Sequence, residues 1–366
     1  SEHSFPTRRS SDLTGGVPAI WTANNGIALA RARLSSAAPP VPRRETPVIL
    51  AQPAYPEWTD IGTPLTLDFA GSWSAAGTAV ALKAAPELAP SADALTIDGL
   101  RVTFAPTKPG WYWYRLTAGD GERRSPEYHL LIRVFDPRAG RDDAQALVLY
   151  RFDEGQGNRV RDRGAAPALD LTLPDGAAWL PGQGLSLLGA TGPALSAKPA
   201  AKLRALAEKK AFTVEAWVSN PTVHPVNNRA NILSWESGPG RWNVAVGHCE
   251  EHLMAVPSGV AYLSITNRWA ALATGFRTGL THLAVTWDGR MATGYLNGAR
   301  AYQRYIPLNP QRWTVSAPLL LAMHSDLTDH YLGTYYLAAI HAACLTPEQI
   351  QRHYAAGPGA AKGEAP

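Results

Sequence analysis

The sequence predicts an all-β protein built from two β-sandwiches in series. Turn-forming residues are abundant, with 30 Pro and 32 Gly among 366 residues. Many short segments alternate apolar and polar residues with the period of two that a strand requires. Residues 200–210 (AAKLRALAEKK) are the one convincing amphipathic helix, so long helical patterns do not compete with this prediction.

The N-terminal residues are predicted to lie outside any complete domain. Residues 3–13 read HSFPTRRSSDL, which is one translated frame of a common short-read sequencing adapter. We therefore expect residues 1–13 to be an assembly artefact that does not pack, and the chain to be a fragment of a metagenomic gene. Residues 14–35 resemble the closing strands of an upstream β domain, and residues 36–46 form a Pro/Ala/Ser-rich linker.

The first complete sandwich is predicted over residues 47–136. Its strand patterns occupy residues 64–69, 95–104, 111–116 and 128–135. A Pro109-Gly110 turn leads into the aromatic strand Trp111-Tyr112-Trp113-Tyr114, and an Asp-Gly turn follows. This hairpin resembles the late hairpin of bacterial immunoglobulin-like domains. The Cys-Trp-Cys pattern of antibody domains is absent, so the resemblance concerns the architecture alone.

The second sandwich is predicted over residues 146–356, between a linker at 137–145 and a flexible tail at 357–366. Asp288-Gly289 and Asn297-Gly298 are both dipeptides that favour type I′ turns. They predict a three-stranded meander over residues 280–301, with Leu283, Val285 and Trp287 on one face. Thr346 is expected to cap a final helical turn.

Four motifs in order resemble the laminin G-like jelly rolls of the concanavalin A-like lectin/glucanase superfamily. They are LVLYRFDEGQG (147–157), FTVEAWV (212–218), THLAVTWDG with GYLNG (281–298) and LTPEQI (345–350). The resemblance implies a jelly roll in an exported bacterial protein that is extracellular, on the cell surface or periplasmic. Its implied partner is a glycan or a cell-surface protein.

The residues argue against catalysis. Retaining glucanases need two carboxylates about 5 Å apart, whereas Glu215 is alone in its strand. The sequence contains no Gly-x-Ser-x-Gly motif and no phosphate-binding Gly loop. His248–His252 match a zinc-protease pattern, but we expect them on a strand, where residues four apart lie roughly 13 Å from each other. We therefore predict no catalytic residues and no required cofactor.

Calcium is the one cofactor left open, because many relatives carry it at the rim of the sandwich. The candidate carboxylate ligands are Asp153, Glu154, Asp162, Asp326 and Asp329. Acids in such turns also simply cap and solvate the backbone. Tyr336 and Leu337 stand where many relatives have an Asp-Glu pair.

A sugar-binding site is predicted from three tryptophans with charged neighbours. The set is Trp235, Glu236, Arg241, Trp242, Arg268 and Trp269. Exposed indoles stack on sugar faces, and charged side chains bond to hydroxyls. The alternative is that these tryptophans belong to the core.

The distribution of charge limits the classes of molecule that the chain could bind, and the two cysteines raise the question of a disulfide. The net charge of +4 arises after residue 146, with 19 Lys and Arg against 15 Asp and Glu. The basic residues form no cluster, so nucleic acid is a poor candidate, while an acidic glycan fits. No apolar run is long enough to span a membrane. Cys249 and Cys344 are expected to pair if the protein is exported and both reach one sandwich edge.

Taken together, these features predict a non-enzymatic binding or adhesion module. The alternative is an accessory structural segment of a larger surface or cytochrome-bearing enzyme, whose catalytic part lies outside this fragment.

Overall fold

A computed structural model describes residues 47–180, 184–220, 229–238, 241–250, 259–265, 268–276, 279–307, 313–328 and 330–359. At residues 220, 229, 248–250, 259–265 and 268–276 it describes the backbone alone. The predicted artefact (1–13), upstream remnant (14–35) and linker (36–46) lie outside these residues. Within them, the helices are too short or too polar to cross a lipid bilayer.

Nine strands form the first sandwich. They are β1 (Val48–Ile49), β2 (Trp58–Asp60), β3 (Leu65–Asp68), β4 (Trp73–Ser74), β5 (Ala81–Leu88), β6 (Leu95–Asp98), β7 (Arg101–Phe104), β8 (Gly110–Gly119) and β9 (Tyr128–Phe135). A four-stranded sheet in the order β2-β9-β8-β5 faces a three-stranded sheet in the order β3-β7-β6. The predicted strand patterns are confirmed.

The aromatic strand β8 explains how this sandwich holds together. Its side chains alternate, so Tyr112, Tyr114 and Leu116 are buried in the core, while Trp111 and Trp113 face outward. The ring of Tyr112 packs edge-on against Phe104 of the opposite sheet, with centroids 5.1 Å apart. Such edge-to-face contacts join the two sheets.

The described part of the second sandwich contains sixteen strands and two helices. They are β10 (Ala146–Tyr150), β11 (Arg159–Val160), β12 (Leu171–Thr172), β13 (Ala178–Leu180), β14 (Gly184–Ser186), β15 (Ala194–Ser196), α1 (Arg204–Lys209), β16 (Phe212–Asn220), β17 (Arg229–Glu236), β18 (Trp242–Glu250), β19 (Gly259–Ile265), β20 (Arg268–Phe276), β21 (Gly279–Trp287), β22 (Met291–Leu296), β23 (Ala299–Tyr305), β24 (Leu319–Leu321), β25 (Thr334–His341) and α2 (Pro347–Ala356). One eight-stranded sheet runs β13-β14-β25-β16-β21-β22-β23, with β10 also paired to β25. The other runs β11-β12-β15-β24-β17-β18-β19-β20.

The two eight-stranded sheets enclose one core, and the all-β prediction is confirmed. Val214, Ala216 and Val218 of β16 point into this core. Glu215 and Trp217 therefore lie on the outer face of their sheet, because successive strand residues alternate. That outer face is also buried, so another part of the chain must cover it.

Only one of the two predicted type I′ turns forms. Asn297 and Gly298 have φ values of 50° and 76°, as a type I′ turn requires. At the other hairpin Gly289 has a positive φ but Asp288 does not. There the Asp288 carboxylate accepts the N–H groups of Arg290 and Met291, at 2.9 and 2.7 Å, and so holds a longer loop.

The predicted linker 137–145 is not a free connection. Arg141 inserts its side chain beneath it, with only 5% exposed, and bonds to Glu215 of β16. Helix α2 covers the neighbouring part of the same face, beginning with a capping box between Thr346 and Gln349. The linker prediction is corrected accordingly: this segment packs as part of the second sandwich.

The two sandwiches share a buried contact within one compact unit that starts at Pro47. The ring of Phe135, at the end of β9, lies 5.0 Å from that of Trp217. Across the same contact, Ser219 donates to Glu57 at 2.8 Å. Gly357, at the start of the predicted tail, packs so closely on Phe135 that a Cβ there would lie 2.4 Å from its ring. The described start of the tail is therefore packed.

Strand β23 closes one edge of its sheet. It pairs with β22, and all seven of its residues are exposed. Its sequence, ARAYQRY, contributes two arginines and two tyrosines to this edge.

Candidate functional site

Three of the six predicted sugar-binding residues, Glu236, Arg241 and Trp242, lie at the rim where β17 ends and β18 begins. Arg241 donates its N–H to the Gly238 carbonyl at 3.0 Å, and its own carbonyl accepts from Ser237 at 3.1 Å. This turn places Glu236 opposite Trp242 in the strand register. The side chain of Arg241 is exposed beside them.

Glu236 and His324 hold the rim in place. Oε1 of Glu236 accepts the Ser325 N–H at 2.6 Å, and Oε2 makes a short contact with Nδ1 of His324. Burial alone would raise the pKa of Glu236, but the bonds from His324 and Ser325 outweigh it and lower the pKa. Glu236 is therefore a buried carboxylate at neutral pH.

Trp242 packs on this pair. Its Nε1 lies 3.1 Å from Nδ1 of His324, and the two rings are 5.2 Å apart. The indole remains partly exposed at the rim. We call Glu236, Arg241, Trp242 and His324 the rim cluster. His324 lies two residues before Asp326, one of the predicted calcium ligands.

Trp235 does not belong to the rim cluster. It is 1% exposed, packs against Trp313 and donates from Nε1 to the Ala317 carbonyl at 3.1 Å. Its register partner, Val244, is also a core residue. The prediction of an exposed sugar-stacking role is wrong for Trp235, and the alternative core assignment is right.

The backbone places Arg268 and Trp269 at the same end of the sheet. Trp269 lies opposite Ser264 of β19, which in turn lies opposite Ala245 of β18. Their side chains lie outside the described ones, so their part in the site stays a prediction.

The predicted calcium ligands already have protein partners. Asp162 is buried and accepts the N–H groups of Leu149, Gly164 and Leu169, as well as the Lys202 ammonium. Asp153 pairs with Arg163, the Glu154 carboxylate accepts from the Arg161 N–H, and Asp326 binds Thr328. Asp329 lies outside the described residues. These contacts fit the capping role that was the alternative to calcium binding.

The disulfide prediction is wrong. Cys344 is a free, exposed thiol, while the backbone of Cys249 lies between Arg229 and Val260 in the other sheet. His248, Cys249 and Glu250 lie on strand β18, and Glu251 and His252 are outside the described residues. The strand placement removes the helical spacing that a zinc protease needs.

Glu215 is the centre of a buried cluster that the sequence did not reveal. Arg141 donates to both of its oxygens, at 2.7 and 3.0 Å. His282 and His353 contact one oxygen each at 2.9 Å, and Nε2 of His341 lies 3.5 Å from Oε2. We call these five residues the Glu215 cluster.

The partners of Glu215 explain its charge state. Burial alone would raise its pKa, but the Arg141 charge and the histidine bonds hold the pKa well below the usual value. Burial lowers the pKa of His282. The cluster is therefore an enclosed ion pair surrounded by imidazoles. Its partners Arg141, His282 and His353 lie 74, 67 and 138 residues away in sequence, so no local pattern marks them.

The first sandwich carries an exposed aromatic surface that was not predicted from the sequence. Trp111 and Trp113 are 38% and 40% exposed on the outer face of β8, and Leu131 opposite Trp113 is 47% exposed. Nε1 of Trp113 bonds to Nδ1 of His129 at 3.1 Å. The alternation Trp-Tyr-Trp-Tyr was the signal, because a buried tyrosine face implies an outward tryptophan face.

Comparisons with known proteins bear on the second sandwich. Residues 194–351 match the family model of the concanavalin A-like lectin/glucanases superfamily. No curated protein sequence matches the chain.

Similar solved structures include three of different function. A SAP-like pentraxin from Limulus polyphemus has 11% identity and a TM-score of 0.30, over 39% of this chain and 68% of the pentraxin. Trypanosoma rangeli sialidase in complex with sialic acid has 12% identity and a TM-score of 0.45, over 68% and 43%. The botulinum neurotoxin type G receptor-binding domain has 14% identity and a TM-score of 0.38, over 57% and 51%. The chain thus spans about half or less of the last two, and similarities of this size carry no argument about function. The family match over residues 194–351 supports the jelly-roll resemblance.

Proposed function

We propose that the chain is a non-catalytic glycan-binding module of an exported protein, and that the rim cluster holds the sugar. The observation that carries this proposal is the fixed, partly exposed indole of Trp242. Its ring packs against that of His324, with centroids 5.2 Å apart, and His324 is held in turn by the buried Glu236. A platform that is already in place loses little conformational freedom when a ligand binds.

The chemistry of the rim suits a sugar with negative charge. The C–H face of a pyranose ring stacks on an indole, and the indole presents it with a flat apolar surface. Beside it, the exposed Arg241 offers five N–H donors in a planar fork that matches a carboxylate or sulfate. We therefore expect acidic glycans to bind more tightly than neutral ones. A glycan fits this rim better than the alternative partner, a cell-surface protein.

The carboxylates described in the second sandwich support a binding role over hydrolysis. Glu215 has no exposed surface and is neutralised by Arg141. Both oxygens of Glu236 are engaged, by His324 and Ser325. A retaining hydrolase needs one free carboxylate as nucleophile and another as acid, and neither residue is free to act.

Binding can be measured by affinity electrophoresis in gels containing polygalacturonate or chondroitin sulfate, with xylan as the neutral comparison. Trp242→Ala should weaken binding about tenfold or more, which corresponds to about 1.4 kcal/mol of stacking energy. Arg241→Ala should reduce binding to the acidic polysaccharides down to the level seen with xylan. Near-ultraviolet circular dichroism would verify that both variants remain folded.

Trp113→Ala is the matched control, because it removes an exposed tryptophan from the other sandwich. This variant should be retarded by the polysaccharide gels as strongly as the wild-type chain. If Trp113→Ala abolishes binding while Trp242→Ala does not, the glycan lies on the first sandwich and the proposed rim is wrong. Release of reducing sugar from any of these polysaccharides by the purified chain would contradict the non-catalytic role.

A structural role is the second candidate, and the contact between the sandwiches favours it. Phe135 packs on Trp217, and Glu57 accepts from Ser219, so the pair can act as a stiff spacer in a larger protein. Absence of binding to every polysaccharide tested would support the spacer role over the glycan-binding role.

A further inference from the structure

A second cluster of potential metal-binding side chains lies beside Glu215 and includes none of the predicted calcium ligands. Asp143, His341 and His353 each offer one ligand atom, and these three atoms lie within 4.8 Å of one another. They come from three elements: the segment after β9, strand β25 and helix α2. Both histidines are fully buried, whereas the Asp143 side chain is 18% exposed.

The hydrogen bonds of His353 identify the ring nitrogen that a metal could use. Nδ1 of His353 faces Glu215 Oε2 at 2.9 Å and must carry the proton, because a carboxylate can only accept. Nε2 of His353 accepts the N–H of Asp142 at 3.1 Å, so a metal that binds this nitrogen must displace that hydrogen bond. Metal-bound histidines in proteins usually give their other N–H to a carboxylate in this way.

His341 supplies the second, independent observation. Its ring is fully buried, yet neither ring nitrogen has a hydrogen-bond partner among the described residues. Nε2 lies 3.5 Å from Glu215 Oε2, too far for a good bond. Buried polar atoms without partners are rare in proteins and commonly mark an ion or water that satisfies them.

Two arginines beside Asp143 oppose the binding of a cation. Arg141 and Arg151 contact Asp143 at 3.0 and 3.3 Å, and Arg141 also pairs with Glu215. A cation at this place must therefore compete with two positive charges for Asp143. Imidazole pairs favour zinc and other transition metals, whereas calcium and magnesium prefer all-oxygen sites. The partly exposed Asp143 leaves an approach from solvent and room for water as a further ligand.

We propose that Asp143, His341 and His353 bind a zinc ion, which fastens the segment after β9 and helix α2 to the outer face of the sheet. The site is separate from the rim cluster, so it does not depend on glycan binding. Zinc binding would make the packing of this segment and of helix α2 on the sheet depend on the metal.

The test is isothermal titration of the tag-free, metal-stripped full chain with zinc chloride. We expect one ion per chain and release by a chelator, accompanied by a lower thermal midpoint. His341→Gln and His353→Gln should each weaken zinc binding by well over about tenfold, because loss even of a supporting residue costs that much. His282→Gln is the matched control: it changes the third histidine on Glu215, outside the trio, and should leave the affinity unchanged.

Arg151→Met provides a test in the opposite direction. Removing one partly shielded positive charge near the ion should raise the zinc affinity by about tenfold. Cobalt absorption of the wild-type chain gives a readout that does not depend on any variant folding: tetrahedral coordination produces intense visible bands. No zinc uptake by the wild-type chain, or uptake equal in wild type and His341→Gln, would overturn the proposal.

Discussion

Removing a carboxylate from water is costly unless it is paired and hydrogen-bonded, and Glu215 meets both conditions. Arg141 supplies the opposite charge in a two-bond arrangement, while His282 and His353 contact one oxygen each. Burial lowers the pKa of His282, which favours its neutral ring, and a charged ring there would add a cation to an ion pair that is already balanced. The Glu215 cluster therefore depends on pH at the level of single residues.

Acidification should destabilise the fold through His282. Its pKa is lowered from 6.5 by burial, so below about pH 6.5 the unfolded chain takes up a proton that the folded chain refuses. The unfolding free energy therefore falls as the pH decreases, by up to about 1.4 kcal/mol per pH unit. Glu215, whose pKa is held below 4.5, adds the same trend below that pH. Urea unfolding between pH 8 and 4 would measure both.

His282→Gln isolates the histidine contribution. Glutamine can place an N–H near the position of Nε2 and so keep the bond to Glu215, but it does not titrate. The variant should lose less stability than wild type between pH 7 and 5. If the unfolding free energies of the two proteins changed with pH in the same way, groups other than His282 would be responsible for the loss of stability.

At the scale of elements, the segment 137–145 acts as a strap across the outer face of the sheet. Arg141 is almost completely buried, whereas Arg138 of the same segment is 77% exposed and pairs only with Asp136. The two arginines carry the same charge but differ in surroundings. They therefore form a matched pair for testing what the strap contributes.

Arg141→Met should destabilise the chain by about 3–5 kcal/mol, because it leaves Glu215 buried without its counter-charge. Arg138→Met should have no measurable effect, since exposed ion pairs contribute little. Guanidinium unfolding at pH 7 compares the two. Adding Glu215→Gln to Arg141→Met should recover much of the loss, and a double variant as unstable as the single one would contradict this explanation.

The strap also shows which features could not be predicted from the sequence. Strands β8, β9, β16, β21 and β22 could be predicted because their alternation and turn dipeptides are local. The same holds for Glu236, Arg241 and Trp242, which are close in sequence. The Asp-Arg-rich composition of residues 137–145 looked like a linker because its partner, Glu215, lies on a distant strand. Trp235 was misjudged because a bulge between Trp235 and Glu236 separates the core side from the rim, and no residue type announces a bulge.

At the scale of the whole molecule, the contact between the sandwiches sets where the second one can be cut. A chain of residues 137–357 keeps Arg141 but loses Phe135, whose ring covers Trp217. A chain of residues 146–357 loses both. In the shorter chain Glu215 has lost its counter-charge, because Arg141 is absent.

Both shortened chains should unfold cooperatively in urea, because each keeps the complete core between the two eight-stranded sheets. The chain 137–357 should be less stable than the chain 47–359, and the chain 146–357 less stable again. Equal midpoints for the two shortened chains would show that the strap contributes nothing to stability.

The exposed edge strand β23 has a consequence for behaviour at high concentration. An open edge offers free backbone N–H and C=O groups to any other strand, which makes it a starting point for intermolecular sheets. Arg300 and Arg304 place positive charge along this edge, so a second copy approaching edge to edge would meet the same charges and be repelled. The charge of this edge therefore opposes edge-to-edge pairing between two copies of the chain.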